Sequence, residues 1–144
     1  MGKLAITGGS GVCKGASFAR WPSAGEAELA AVKDVLDSGH WGGQPFPGKY
    51  STQFAAKFAA MHTAQYAQPV NTGTVAIQAA LKAVGVQPGD EVLVPAYTWD
   101  GTVGPVLLVN AVPVFVDIDP DSYCMNPALI EQAITPKTRA ILPE

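Results

Sequence analysis

The sequence predicts an α/β fold, in which a mainly parallel sheet is flanked by helices. From Gln65 onward, short apolar runs alternate with helical stretches, an order typical of parallel strands joined by crossover helices. The apolar runs lack strict polar alternation, as expected of strands covered on both faces. Of the 144 residues, 48% are hydrophobic, which is enough for one domain with a true core.

The chain opens with a glycine-rich stretch, Ile6–Ala19, that has to be tested as a nucleotide-binding loop. A dinucleotide loop would continue from Gly9 and Gly11 to a third glycine, but Lys14 stands at that position. Pro22 interrupts any helix that would follow, because its ring clashes with the preceding turn. We therefore expect a flexible N-terminal arm, and the glycine spacing argues against a nucleotide-dependent oxidoreductase.

Two amphipathic helices are predicted before the alternating part. The first runs over Glu26–Gly39, where the glycine is a stop signal, and should bury one apolar stripe. The second follows Ser51 and Thr52 as caps. Apolar residues at helical spacing are Leu29, Val32, Val35 and Leu36 in the first helix and Phe54, Phe58 and Met61 in the second. Between them, His40–Tyr50 is rich in glycine, proline and aromatics, and predicts an irregular loop of the kind that carries ligands.

The alternating part predicts four strands and three helices. Its segments are, in order, YAQPV, TVAIQAALKAVG, DEVLVP, TWDGTVGPVLLVNA, VPVFVDID, NPALIEQAIT and RAILP, of which the first, third, fifth and seventh are the apolar runs. Asn126 followed by Pro127 predicts a helix start, with the amide side chain as cap and proline in the first position. The sequence QPGDE from Gln87 predicts a turn.

The first candidate for a ligand contact is the segment Val70–Ile77, which places Gly73 and Thr74 between the predicted end of a strand and the start of a helix. Unpaired amides and the helix dipole stabilise a phosphate there without any lysine. Glycine lets the backbone approach closely, and the threonine hydroxyl can donate a further hydrogen bond. The alternative interpretation is that Thr74 only caps its own helix.

The second candidate is the segment Val94–Thr102, which also follows a strand. Ligands of open parallel sheets bind beyond the carboxyl ends of the strands, so Trp99 or Tyr97 could offer an aromatic face to a planar ring. Either residue could instead be a packing residue at a helix start. Together, a phosphate seat and an aromatic surface on successive strand ends are suited to a phosphorylated planar cofactor.

Composition excludes several other functions. The net charge is −3 and the basic residues are scattered, which is unlike a nucleic-acid-binding surface. Apolar runs are too short to span a membrane and the N-terminus lacks the layout of a signal peptide, so a cytoplasmic protein is expected. Cys13 and Cys124 are too few for a disulfide framework or a zinc site.

The remaining polar residues predict no metal site and no catalytic triad. Asp117, Asp119 and Asp121 alternate, but the glycine and the final acidic residue of a calcium loop are missing, so we interpret them as capping and turn residues. His62 should be solvated near the end of the second helix. His40 lies in the aromatic loop and could reach a site. No Ser-His-Asp or Cys-His arrangement is legible from the spacing.

Several motifs in order resemble the N-terminal part of the DegT/StrS family of pyridoxal-phosphate (PLP) enzymes, the sugar and cyclitol aminotransferases. They are NTGTVAI, GVQPGDEVLVPAYTW, AVPVFVDIDPDSYCMNPALIEQAITPKTRAILP and the opening LAITGG…WP…SGHW. The resemblance implies the aspartate-aminotransferase-type fold (fold type I) and a homodimer with active sites at the subunit interface. It also implies that residues 1–48 form an arm, a helix and an active-site loop, and that residues 49–144 are the first part of the PLP-binding large domain.

By the same resemblance, Gly73 and Thr74 are expected to contact the cofactor phosphate and Trp99 to stack on the pyridine ring. The segment around His40 and Trp41 is expected near the active site. The aspartate that pairs with the pyridine nitrogen and the lysine that forms the Schiff base are expected beyond Glu144. These 144 residues would then hold part of the cofactor site and none of its catalytic residues.

The function that the resemblance implies is transfer of an amino group from glutamate or glutamine to a keto-sugar or keto-cyclitol. Two alternatives stay open at this point. One is a PLP-dependent dehydratase of the same fold, and the other is a non-catalytic binding module or truncated remnant.

Overall fold

The computed structural model describes residues 2–42 and 46–143. The helices are α1 (Glu26–Ser38), α2 (Lys49–Met61), α3 (Gly73–Ala83), α4 (Asp100–Leu108) and α5 (Ile130–Ala133), the strands are β1 (Glu91–Pro95), β2 (Val112–Val116) and β3 (Thr138–Ile141), and short 3-10 helices span Ala5–Thr7 and Pro127–Leu129. Contacts divide the chain into two compact units, Met1–Thr52 and Gln53–Glu144. Within the described ranges, no helix is both long enough and apolar enough to cross a membrane.

The first unit contains the arm and α1. The arm is exposed, forms one 3-10 turn at Ala5–Thr7, and reaches no further helix before Glu26, which leaves the glycine-rich stretch without the strand and helix that a nucleotide loop needs. Helix α1 ends where the sequence predicts, because Gly39 takes a left-handed conformation with φ of 67°. At its start, the Gly25 N–H donates to the Glu28 carboxylate at 2.7 Å. That hydrogen bond holds the pKa of Glu28 below its usual value.

The predicted buried stripe of α1 is wrong for this chain. Leu29, Val32 and Leu36 are 63%, 59% and 57% exposed, respectively. Val35 is half-buried, and Tyr50 lines a shallow groove beside the stripe, but no described element of the unit buries Leu29, Val32 or Leu36. Helical periodicity identifies the apolar face but not what covers it.

The predicted caps of the second helix are also wrong. Helix α2 begins at Lys49, so Ser51 and Thr52 lie in its first turn, where both hydroxyls donate to the Gly48 carbonyl at 2.8 and 3.1 Å. Inside a helix, Ser and Thr hydroxyls can instead bond backward to a carbonyl three or four residues earlier. The predicted irregular loop is irregular at 40–42 and 46–48, while 43–45 lie outside the described residues.

The second unit contains the predicted parallel sheet, which confirms the α/β fold class. Strand order is β2-β1-β3, and β1 pairs in parallel with both neighbours. The central strand is buried on both faces. Val92 and Val94 pack with residues of α3 and α4, whereas Leu93 packs on the other face with Val116 and Met125 and, at the edge of that cluster, residues of α5. Helices therefore cover both faces of the strand, as the continuous apolar pattern predicts.

One predicted strand is absent. The run YAQPV, residues 66–70, forms no strand in the structure, and Tyr66 is 81% exposed. A strand needs a neighbour to receive its backbone hydrogen bonds, and among the described residues β2 and β3 pair only with β1. Helix α3 consequently follows an irregular segment.

Two predicted local features are confirmed. The Asn126 side chain accepts from the Ala128 N–H at 3.0 Å and starts the 3-10 helix that leads into α5. In the QPGDE turn, the Asp90 N–H donates to the Gln87 carbonyl at 3.1 Å, and Gly89 takes a left-handed φ of 85°. This turn brings the chain into β1.

Candidate functional site

The start of α3 has backbone amides that its own helix does not use. Thr72 is the N-cap, because its hydroxyl accepts from the Val75 N–H at 3.2 Å and its carbonyl accepts from the Ala76 N–H at 3.0 Å. The alternative in which Thr74 caps its own helix is therefore wrong. The N–H groups of Gly73 and Thr74 precede the first intrahelical bond and are left for water or a ligand. Gly73 is exposed and Thr74 half-buried.

Electrostatics favour an anion at this helix start. The first turn of α3 carries no acidic residue, while Lys82 lies in the last turn, where a cation complements the helix dipole. The unpaired amides and the dipole thus act together, with no carboxylate beside them on the helix. The first turn of α4, by contrast, begins with Asp100.

Trp99 stands at the start of α4, in the loop that follows β1. Its backbone is extended, with φ of −70° and ψ of 145°, and its side chain is 76% exposed. Two hydrogen bonds close the turn around it. The Thr102 N–H donates to the Trp99 carbonyl at 3.0 Å, and the Thr98 hydroxyl donates to that of Thr102 at 2.9 Å. The backbone is therefore fixed while the indole faces outward.

The starts of α3 and α4 lie side by side, and Gly101 marks where they meet. A Cβ on Gly101 would stand 2.7 Å from Cδ1 of Trp99, 3.0 Å from its Nε1 and 3.3 Å from the Thr74 Oγ1. The edge of the indole and the Thr74 hydroxyl therefore flank the same point. Of the residues named from the sequence, the structure brings Thr74 and Trp99 together, with Gly73 next to Thr74 on the same turn.

Two open grooves adjoin these residues. One, of about 380 Å³, is lined by Tyr97, Thr98, Trp99, Tyr123 and Cys124, and the rings of Tyr97 and Tyr123 lie 5.9 Å apart between centroids. The other, of about 430 Å³, includes Thr72 and Gly73 in a wall that is otherwise mainly aromatic and apolar. The helix start is thus open to ligands, and Trp99 is exposed.

The aspartates form turns, as predicted. The Asp119 carboxylate accepts from the N–H groups of Asp121 at 3.0 Å and Ser122 at 2.9 Å, and Asp117 accepts from the Ile118 N–H at 2.8 Å. These backbone donors, Ser122 first, hold the pKa of Asp119 below its usual value. The carboxylates of Asp117 and Asp119 therefore have a structural explanation, and Asp121 joins the turn through its backbone N–H.

The other candidate residues are placed as follows. His62 follows α2 and is exposed as predicted. Its ring centroid lies 4.4 Å from that of Phe58, with the two rings tilted by 39°. Cys13 and Cys124 are free and exposed. His40 and Trp41 are exposed residues of the first unit, so their role near the site stays a prediction.

Sequence reasoning missed three contributors, namely the Thr72 cap, the Thr98–Thr102 hydrogen bond and Gly101. The first two carry a signal that could have been used. Thr72 lies three residues before Val75, the usual spacing of a cap, and two threonines at i and i+4 flank Trp99. The close approach of the indole to Gly101 has no signature in the sequence.

The chain is similar to a family of known enzymes. Residues 22–144 match the model of the DegT/DnrJ/EryC1/StrS aminotransferase family. A Streptomyces kanamyceticus protein provisionally named L-glutamine:3-amino-2,3-dideoxy-scyllo-inosose aminotransferase is 46% identical over 98% of this chain and 33% of its own length. The L-glutamine:scyllo-inosose aminotransferase of Streptomyces griseus is 44% identical over 96% of this chain and 33% of its own length. The chain thus spans about a third of these relatives.

A solved structure supports the same relationship. NtdA of Bacillus subtilis, crystallised with bound cofactor PMP, superposes with a TM-score of 0.73 and 38% sequence identity. The match covers 80% of this chain and 26% of NtdA. The observed α/β architecture is therefore that of the first part of a larger enzyme fold.

Proposed function

Because the chain belongs to the DegT/DnrJ/EryC1/StrS aminotransferase family, we propose that it forms the N-terminal part of a PLP-dependent aminotransferase. The donor we propose is glutamine and the acceptor a keto-cyclitol of the inosose class, since relatives are named for those substrates. The observation that carries the proposal is the open start of α3 beside the exposed Trp99. We place the enzyme in the cytoplasm as a homodimer.

The residues at the start of α3 fit the phosphate of PLP. The N–H groups of Gly73 and Thr74 and the Thr74 hydroxyl are three donors on one turn, and the helix dipole adds partial positive charge. Gly73 has nothing within 4 Å of the position of a Cβ, so the backbone is accessible. In this proposal these groups bind and orient a dianion without a lysine.

Trp99 fits the ring of the same cofactor. Its indole edge and the Thr74 hydroxyl flank one point, so a ligand anchored at α3 can reach the aromatic face of Trp99 with its ring. Stacking on indole orients the ring and shields one of its faces from water. When bound, PLP supplies an electron sink that allows the amino group to be stored between the two halves of the transfer.

Two lysines of the second unit, Lys82 and Lys137, are poorly positioned to act on such a ring. Lys82 lies in the last turn of α3, at the far end from Gly73. Lys137 precedes β3, and its carbonyl accepts from the Glu91 N–H at the amino end of β1, whereas Trp99 follows the carboxyl end. We propose that the catalytic lysine lies in the part of the enzyme that these residues do not cover.

The binding site can be tested in the complete gene product by titrating PLP into the apoprotein. We expect Trp99→Ala to weaken binding about tenfold, as loss of an aromatic stack predicts. Thr74→Ala should also weaken it about tenfold, because a hydrogen bond to a charged group is lost, and Thr74→Ser should restore most of it. Trp21→Ala is the matched control. Parent-like affinity in both Trp99→Ala and Thr74→Ala would refute the site.

The reaction is tested separately with PLP, glutamine and scyllo-inosose. We expect an amino-cyclitol from the complete gene product and no sustained transamination by residues 1–144 above a PLP-only control. Loss of a hydroxyl from the acceptor without amine incorporation would favour the dehydratase alternative. Turnover by residues 1–144 would show that the catalytic lysine is within them.

A further inference from the structure

We infer that Gly101 is the positioning residue that sets where the indole of Trp99 lies. The inference rests on the proposed PLP site and adds a residue that contacts neither the phosphate nor the ring in that proposal. It starts from the close approach at the start of α4. There, a Cβ on Gly101 would come within 2.7 Å of Cδ1 and 3.0 Å of Nε1 of Trp99.

Such distances are incompatible with a side chain at this position. Carbon atoms in contact are separated by about 3.5–4.0 Å, so any other residue at 101 would force the indole to move. Trp99 cannot easily yield through its backbone, because the Thr102 N–H and the Thr98–Thr102 hydroxyl pair close the turn on both sides of it. The displacement would therefore appear at the ring.

The same point is bounded on its other side by the Thr74 hydroxyl, 3.3 Å away. A methyl group at residue 101 would thus clash with the indole, while its contact with the Thr74 hydroxyl would be tight but relieved by a shift of a few tenths of an ångström. Because glycine has no Cβ, the indole edge can lie against the first turn of α4 and next to the start of α3. Gly101 thereby sets the distance between the indole of Trp99 and the proposed phosphate-binding groups at the start of α3.

Helix propensity argues in the opposite direction, which makes the inference testable. Glycine is a poor residue inside a helix, and alanine is the best. Replacing Gly101 should therefore favour the helix as such. A second glycine in the same helix, Gly104, offers a control for a side chain added away from the indole, because nothing beyond its chain neighbours lies within 4 Å of the position of its Cβ. Pro105 follows it and disfavours helical geometry at an alanine there, a cost that the thermal midpoint of Gly104→Ala reports separately.

The test uses the complete gene product labelled with 5-fluorotryptophan, with the Trp99 fluorine resonance assigned as the one lost in Trp99→Phe. In the apoprotein, Gly101→Ala should shift this resonance, and Gly104→Ala should leave it unchanged. In PLP titrations, Gly101→Ala should weaken binding about fivefold to tenfold, and Gly104→Ala should have no effect. In a Trp99→Ala background, Gly101→Ala should weaken binding by less than twofold, since the indole is no longer there to be displaced.

The outcomes separate this inference from the proposed function. An unshifted Trp99 resonance in Gly101→Ala, or an equal loss of PLP affinity with and without the indole, would overturn the positioning role. Parent-like PLP binding by both single variants, Trp99→Ala and Thr74→Ala, would overturn the proposed site. A shift of the Trp99 fluorine resonance in Gly101→Ala would still support the role of Gly101 in the apoprotein. Thermal midpoints of all variants identify any that lose the fold. If Gly101→Ala is one of them, Gly101→Ser replaces it in the same two measurements.

Discussion

Single residues at the start of α3 divide the work between capping and ligand binding. Thr72 caps the helix through its side chain, which leaves the Thr74 hydroxyl available beside Gly101. Thr72→Ala should lower the free energy of unfolding by about 1 kcal/mol, because the Val75 N–H loses its partner. Urea denaturation measures this, and Thr72→Ser should recover most of the loss. Equal stability of Thr72→Ala and the parent would show that the cap contributes nothing.

A second residue-scale prediction concerns pH. Backbone N–H groups of Ser122 and Asp121 favour the ionised form of Asp119 and lower its pKa in the folded state. The stabilisation is therefore present above the unfolded-state pKa of about 3.9 and is lost as the pH falls through the lower, folded-state value. We expect Asp119→Asn to destabilise the chain at about pH 5 and to differ less from the parent at about pH 3. Urea midpoints at both pH values test it, and an equal difference at both would contradict it.

At residue scale, the sequence suggests candidate site residues but not their local arrangement. Gly73, Thr74 and Trp99 could be named because a glycine and a hydroxyl before an apolar helical run, and an aromatic after a strand, have recognisable chemistry. The structure has Thr72 as the cap, where the sequence suggested Thr74. Both residue types suit that role, and the sequence does not fix helix ends to within one or two residues. The contact between Gly101 and the indole could not be predicted, because side-chain packing across a turn leaves no repeating pattern in the sequence.

At the scale of elements, prediction succeeded where the residue pattern of an element itself indicates how the element is buried. Strand β1 reads as a continuous apolar run, and it is buried on both faces. It failed where the environment depends on a partner. The YAQPV run forms no strand without a neighbouring strand among the described residues, and the apolar stripe of α1 is exposed without a covering element in its unit.

The central strand predicts the largest stability effect. Leu93 of β1 is fully buried in the cluster with Val116 and Met125, so Leu93→Ala should lower the free energy of unfolding by about 2–5 kcal/mol through lost burial and the cavity left behind. Leu107→Ala in α4 is the matched control, since that side chain is exposed and the effect should stay within about 0.5 kcal/mol. Chemical denaturation of both variants measures the difference. A cost for Leu93→Ala no larger than that for Leu107→Ala would contradict the packing described.

At the scale of the whole molecule, the chain exposes more large apolar side chains than its sheet and helices can cover. The exposed set includes Phe115 on β2, Ile141 on β3 and the stripe of α1. Contiguous exposed apolar surface and open strand edges promote association. The residues match only about a third of the length of the curated relatives, and in the proposed enzyme the rest of the protein and a second subunit would cover these surfaces.

We therefore expect residues 1–144, expressed alone, to self-associate in a concentration-dependent manner in sedimentation velocity experiments. Replacing Val32 and Leu36 together by serine should reduce association if the stripe of α1 contributes, at little cost in packing because both side chains are already exposed. Val12→Ser, at an exposed position of the arm, should leave association unchanged. A compact monomer with cooperative melting at every concentration would show that the exposed apolar surface is tolerated, and would remove this argument for a covering partner.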